Sequence, residues 1–173
     1  MSKTNIILTG FMATGKTTVG KLLAEHLDYT FVDTDELIVK RSGMSVANIF
    51  QKKGEDAFRQ LESDLASELG DKEGLVISTG GRLMLDPDNA AMLSRQGQVF
   101  CLVATPEEIY DRVSKDNHVK RPLIEESNPM QQVMELLKQR EEGYGNFPQI
   151  MTSKKTPDEV TLNLVGLIQA NPN

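Results

Sequence analysis

The chain has 173 residues, 39% of them hydrophobic and 25% charged, which suits one domain with its own core and excludes a disordered chain. A net charge of −6 argues against a general nucleic-acid or membrane-surface binder, and no apolar run approaches the roughly 20 residues that span a bilayer. The single cysteine, Cys101, permits no internal disulfide, and MSKTNIILTG lacks a long apolar h-region, so a cytoplasmic protein without a signal peptide is expected.

In chain order, NIILT (5–9) is a short apolar run that reads as a buried strand. It leads into GFMATGKTT, Gly10 to Thr18, and then into a helix over 16–27 with Val19, Leu22, Leu23 and Leu27 at helical spacing. Gly10–x4–Gly15–Lys16–Thr17 between a strand and a helix is a Walker A loop. Its glycines let backbone N–H groups curl inward around a phosphate, and the helix N-terminus adds the positive end of its dipole. Gly10, Ala13, Thr14, Gly15, Lys16, Thr17 and Thr18 are the candidate nucleotide contacts. Lys16 can reach the β- and γ-phosphates, and the Thr17 hydroxyl can ligate Mg²⁺.

FVD (31–33) is the second strand, and FVDTDE puts Asp33 and Asp35 at its carboxyl end, where open α/β sheets form their ligand crevice. One carboxylate could hold Mg²⁺ through water while the other accepts a hydrogen bond from a substrate hydroxyl. The same residues also fit an N-cap and first-turn charge for the helical run LIVKR. Residues 55–69 read as a helix with Phe58, Leu61, Leu65 and Leu69 on one face, and Gly70 is placed to cap it. Arg59 lies beside that stripe, with Glu62 at ion-pair spacing. LVIST (75–79) is the third strand, and STGG (78–81) ends it with two glycines, where backbone can approach a ligand closely.

VFCLV (99–103) is the fourth strand, with Cys101 buried in it. TPEE (105–108) and TPDE (156–159) each offer Thr at N-cap, Pro at N1 and Glu at N3, a capping box twice over. The segment 114–129, with Lys115, Lys120 and Arg121, reads as a mobile cationic flap of the kind that excludes water from phosphoryl transfer, with His118 solvated in it. In MQQVMELLKQREEGY the spacing of Val133, Leu136, Leu137, Arg140 and Tyr144 turns Arg140 inward. A guanidinium there needs a carboxylate, from a ligand or from the protein, and spacing does not choose between them. QIMT (149–152) is the last strand. Strands alternating with helices imply a doubly wound α/β sheet.

GFMATGKTT, DTD, GEDAFRQLE, STGG, RPL and R-x3-Y at 140–144 follow one another in an order that resembles the shikimate kinases over about residues 4–170. The resemblance implies one domain, 1–173, with a three-layer, nucleoside-monophosphate-kinase-like P-loop fold around a five-stranded parallel sheet. It places acceptor binding at about 34–62 and a lid at about 112–124. It implies a monomeric enzyme that uses ATP and Mg²⁺ to phosphorylate the 3-hydroxyl of shikimate, in the route to chorismate and the aromatic amino acids. By the same resemblance Lys16 contacts phosphate, Thr17 ligates Mg²⁺ and Asp33 supports it through water. Asp35 holds the acceptor hydroxyl and takes its proton. Arg59 and Arg140 bind the shikimate carboxylate, Glu62 orients Arg59, and Gly80 and Gly81 meet substrate through backbone. Arg121 contacts the transferring group, while Arg112, Thr156 and Pro157 flank adenine. The chain departs from the family pattern at Arg82, where a third glycine is usual, and at Glu142, where R-x-P-x-Y has proline. If position 82 needed a positive φ, an arginine there would be strained. Rival readings are a gluconate-type sugar-acid kinase and a nucleotide-binding relative with altered or lost activity.

Overall fold

Five apolar runs pair as parallel strands in the order β2–β3–β1–β4–β5 in the computed structural model, which describes residues 3–115 and 128–170. They are β1 (Asn5–Gly10), β2 (Thr30–Asp33), β3 (Leu75–Ser78), β4 (Gly97–Val103) and β5 (Gln149–Met151). Between and after them lie α1 (Lys16–Leu27), α2 (Thr34–Ser42), α3 (Val46–Lys53), α4 (Glu55–Gly70), α5 (Pro87–Ser94), α6 (Pro106–Lys115), α7 (Pro129–Gly145) and α8 (Pro157–Ala170). The expected α/β architecture is the one observed.

β1 shows why its run has no polar alternation. Ile7 packs on one face with Phe58, Leu65 and Leu69 of α4. Ile6 and Leu8 pack on the other with Val19 and Leu23 of α1 and Val160 and Leu164 of α8. Side chains alternate across a strand, so a strand covered on both faces must be apolar throughout. Full burial of each such side chain is worth about 1.5–3 kcal/mol. No helix among the described residues is long and apolar enough to cross a membrane.

Two local expectations are corrected. Gly70 does not cap α4 from outside; it is the helix's last residue, followed by Asp71 in right-handed backbone. A Cβ at Gly70 would come within 2.8 Å of the Met92 carbonyl oxygen, so glycine serves the close approach of α4 to α5. The capping box forms fully at α8: the Thr156 N–H donates to Glu159 Oε2 at 2.6 Å, and the Glu159 N–H donates to Thr156 Oγ1 at 3.2 Å. At α6 it forms by half. The Glu108 N–H donates to Thr105 Oγ1 at 3.4 Å, but the Thr105 N–H donates to Ser153 Oγ. Glu108 accepts instead from the Lys154 N–H and from Arg112 Nη2, each at 3.0 Å. A competing cation and loop donor outweigh the local cap.

The register brings the carboxyl ends of three strands to one edge. Ser78 lies opposite both Leu8 and Asp33, and the Thr79 N–H donates to the Leu8 carbonyl at 3.0 Å. The phosphate loop, Asp33 and the double glycine therefore open into one crevice.

Candidate active site

The loop between β1 and α1 is held by its own backbone. Gly10 (φ 132°) and Gly15 (φ 95°) use conformations that side chains rarely adopt, and a Cβ at Gly10 would strike the Leu102 carbonyl oxygen. Ala13 also sits at φ 58°, at a cost of about 1 kcal/mol or more for a non-glycine residue. Arg112 Nη1 pins it by donating to the Ala13 carbonyl at 3.0 Å. Thr14 Oγ1 donates to the Phe11 carbonyl at 2.8 Å. Lys16 Nζ crosses the loop, donating to the carbonyls of Gly10 at 3.0 Å and Phe11 at 2.8 Å.

Beside the loop lies a cavity of about 370 Å³, lined among others by Thr18, Arg112, Thr152, Lys155 and Pro157. Arg112 and Pro157, placed by the resemblance at the adenine end, both line this cavity. Thr156 is not among the lining residues; it caps α8. Thr152 and Lys155 line the cavity without any sequence signal of their own.

Asp33 serves two elements at once. Its Oδ1 accepts from the N–H groups of Asp35 at 3.1 Å and Glu36 at 3.2 Å, capping α2. Its Oδ2 accepts from Thr17 Oγ1 at 3.0 Å. The helix cap is realised, and the other oxygen of Asp33 is turned to Thr17 at the end of the phosphate loop. Thr17 and Asp33 offer two hard oxygen ligands side by side. Among the described residues no cluster of three or more His, Cys, Asp or Glu forms a metal cage. That donor set fits Mg²⁺, which binds through one or two protein groups plus phosphates and water.

The other end of the crevice is organised around Gly80 and Gly81. The Gly80 N–H donates to Oγ1 of the buried Thr34 at 2.9 Å, tying the turn to the start of α2. A Cβ at Gly80 would lie 2.6 Å from Asp35 Oδ1 and 3.0 Å from Glu62 Oε1; one at Gly81 would lie 3.1 Å from Arg140 Nη1. A turn without side chains lets these groups converge with no displacement of their ends. Asp35 Oδ1 is closed to solvent and has no hydrogen-bond partner among the described residues. Burial pushes the Asp35 carboxyl above the ordinary 3.8 and Asp33 adds to this, while Lys16 and Arg59 oppose it.

Arg59 is gripped by two carboxylates. Nη1 donates to Glu62 Oε2 at 2.6 Å, and Nε and Nη2 donate to Glu55 Oε1 at 3.1 and 2.9 Å. Glu62 is 2% exposed, so this is no surface pair; burial raises its pKa and Arg59 pulls it back. Arg59 also lies over the rings of Phe58 and Phe50, at 5.3 and 5.7 Å. Arg140 lies over Phe11 at 5.2 Å. Among the described residues it forms no ion pair with a carboxylate.

Tyr144 is the residue that sequence reasoning left without a role. Its hydroxyl donates to the Gly81 carbonyl at 2.5 Å and is hydrogen-bonded to Arg140, one helical turn back; burial pushes its pKa up to about 12. An inward tyrosine needs a partner for its hydroxyl, and that signal could have found it. Thr34 gave no such signal. Arg82 is right-handed (φ −112°, ψ −9°), so no strain attends it. Arg121 and most of the 112–124 segment lie outside the described residues, as do Lys120 and His118.

The shikimate kinase family model matches residues 12–169. The shikimate kinase of Thermoanaerobacter pseudethanolicus is 44% identical over 163 residues, covering 93% of this chain and 94% of that protein. The chain belongs to the shikimate kinase family. A solved structure of the shikimate kinase from Acinetobacter baumannii in complex with shikimate superposes with a TM-score of 0.90 at 34% identity, covering 98% of this chain and 95% of that one. A gluconokinase from Sinorhizobium meliloti reaches a TM-score of 0.66 at 17% identity, which is a likeness of fold alone. This shikimate kinase family member is an ATP- and Mg²⁺-dependent phosphotransferase acting on shikimate, on the nucleoside-monophosphate-kinase-like P-loop fold.

Proposed function

We propose the following division of labour for transfer of the γ-phosphoryl group of ATP to the 3-hydroxyl of shikimate. The loop from Gly10 to Thr18 holds the phosphates through backbone N–H groups and Lys16. Arg112 and Pro157, with Thr156 beside them, flank the adenine end. Thr17 would ligate Mg²⁺ and Asp33 would support it through water, and the ion would supply neutralising charge to the phosphates. Residues 34–62, with the double glycine and Arg140, form the acceptor region within a single domain. Arg59 and Arg140 take the shikimate carboxylate, Glu62 fixes Arg59, and Gly80 and Gly81 let the ring approach.

Asp35 accepts the hydrogen bond of the 3-hydroxyl and receives its proton as the oxygen attacks phosphorus and ADP leaves. Arg121 is assigned to the transferring group, and 112–124 to the lid, by the RPL resemblance. The single buried cysteine agrees with work in the reducing cytoplasm, and a monomer suffices for every role named.

One observation carries this reading: a buried, unpartnered carboxylate oxygen on Asp35, set at the double glycine beside two arginines suited to an anion. The test is ADP release with ATP and Mg²⁺ in the presence of shikimate, gluconate or no acceptor. Stimulation by shikimate alone is expected. Stimulation by gluconate alone, or by neither, overturns the assignment.

A further inference from the structure

The STGG turn runs on into Arg82, where the family pattern has a third glycine. Gly80 and Gly81 are kept bare by the groups crowding them, but the Arg82 side chain leaves the pocket floor and is 54% exposed. Its Nη1 donates to Glu55 Oε1 at 3.1 Å. That same oxygen accepts both Nε and Nη2 of Arg59. One carboxylate oxygen is thus shared by two guanidiniums, one from α4 and one from the turn after β3.

The charge count explains why this matters. Arg59 alone faces two carboxylates, Glu55 and the buried Glu62. The carboxylate of an acceptor would be the third to approach one cation. Arg82 makes the set of four neutral before the acceptor arrives. Its field also reaches the floor, lowering the proton affinity of Glu62 and Tyr144.

We propose that Arg82 is a specificity-determining residue of the acceptor site: by sharing the Glu55 carboxylate it weakens that carboxylate's hold on Arg59 and leaves Arg59 able to grip an anionic acceptor. The inference rests on the assignment of shikimate to this pocket. Without Arg82, Glu55 pairs with Arg59 alone, and an incoming carboxylate must compete with it at full strength. A neutral acceptor gains nothing from Arg82.

The experiment compares Arg82→Ala, Arg82→Lys, Glu55→Gln and the double variant Arg82→Ala/Glu55→Gln. KM is measured for ATP and shikimate, and calorimetric binding for shikimate and its neutral methyl ester. Arg82→Ala should raise the KM for shikimate about 3- to 5-fold at low salt, and less at high salt, as expected for a half-exposed pair. The KM for ATP and the affinity for the methyl ester should not move. Arg82→Lys should recover part of the loss, and in the Glu55→Gln background the Arg82→Ala penalty should vanish. An unchanged KM for shikimate, an equal loss on the methyl ester, or a penalty that survives Glu55→Gln overturns the proposal. Wild-type enzyme inactive on shikimate removes the acceptor assignment itself, and this inference with it.

Discussion

At the nucleotide end, Lys16, Thr14 and the carbonyls of Gly10 and Phe11 bond to one another within seven residues of chain. At the acceptor end, local pairs such as Arg59 with Glu55 and Glu62 are joined by bonds long in sequence: Tyr144 to Gly81 spans 63 residues, and Gly80 to Thr34 spans 46. The first site is made of backbone held in unusual dihedrals; the second is made of side chains delivered by α2, α4, α7 and the turn after β3. A backbone site depends on which residues permit the curl. A side-chain site depends on the packing that delivers each group, so its parts should fail separately and by graded amounts.

That contrast can be broken or sharpened by substitution. Lys16→Ala should lower kcat by about 10³-fold with the fold intact, since it removes a preorganised cation aimed at the transferring charge; steady-state kinetics beside circular dichroism would check it. Asp35→Asn should lower kcat by about 10²- to 10⁴-fold, the range for a general base.

The same Asp35→Asn variant should be more stable than wild type. The folded pKa of Asp35 is raised above 3.8, so its carboxylate costs stability. The cost is absent below the unfolded pKa, grows as pH rises through the folded value, and stays constant above it. A melting temperature higher by about 2–4 °C per kcal/mol at neutral pH is expected, with the difference gone in acid. The acid limb of wild-type kcat/KM should correspondingly lie above pH 3.8.

Arg140→Ala should raise the KM for shikimate about 10- to 100-fold while moving that for ATP far less, as loss of a charged hydrogen bond predicts. Equal loss for both substrates would sink its role. Tyr144→Phe should raise the shikimate KM about 3- to 10-fold, and the penalty should disappear in the Arg140→Ala background. Smallest in activity is Asp86→Ala, which removes the N-cap of α5: stability falls by about 1 kcal/mol and both KM values stay put.

The same contrast decides what was legible in the sequence. All five strands could be read as short apolar runs, although only β1 and β3 are buried throughout and β2 and β5 are sheet edges, and helix α1 could be read from the P-loop before it. α3 and α5 could not: each is eight residues long and takes its stability from packing on α4 and its neighbours. DTD and STGG were visible as fragments, but nothing local could say that Gly80 bonds Thr34. Nor could it say that Glu55 would hold two arginines, because the partners meet only after the sheet forms. Spacing turned Arg140 inward without choosing its partner, and among the described residues no carboxylate pairs with it.

Cys101 lies at the middle of β4, opposite Thr9 of β1, fully buried and with its thiol pushed up to about 11. It is the chain's one thiol. A thiol reagent can reach it only when the sheet opens, so its labelling rate is a built-in clock for that opening. Any molecule that binds the native protein should slow the clock by the factor 1 + [L]/Kd, provided opening requires its release. Dissociation constants for nucleotide and acceptor could then be read without turnover, in wild type and in every inactive variant alike.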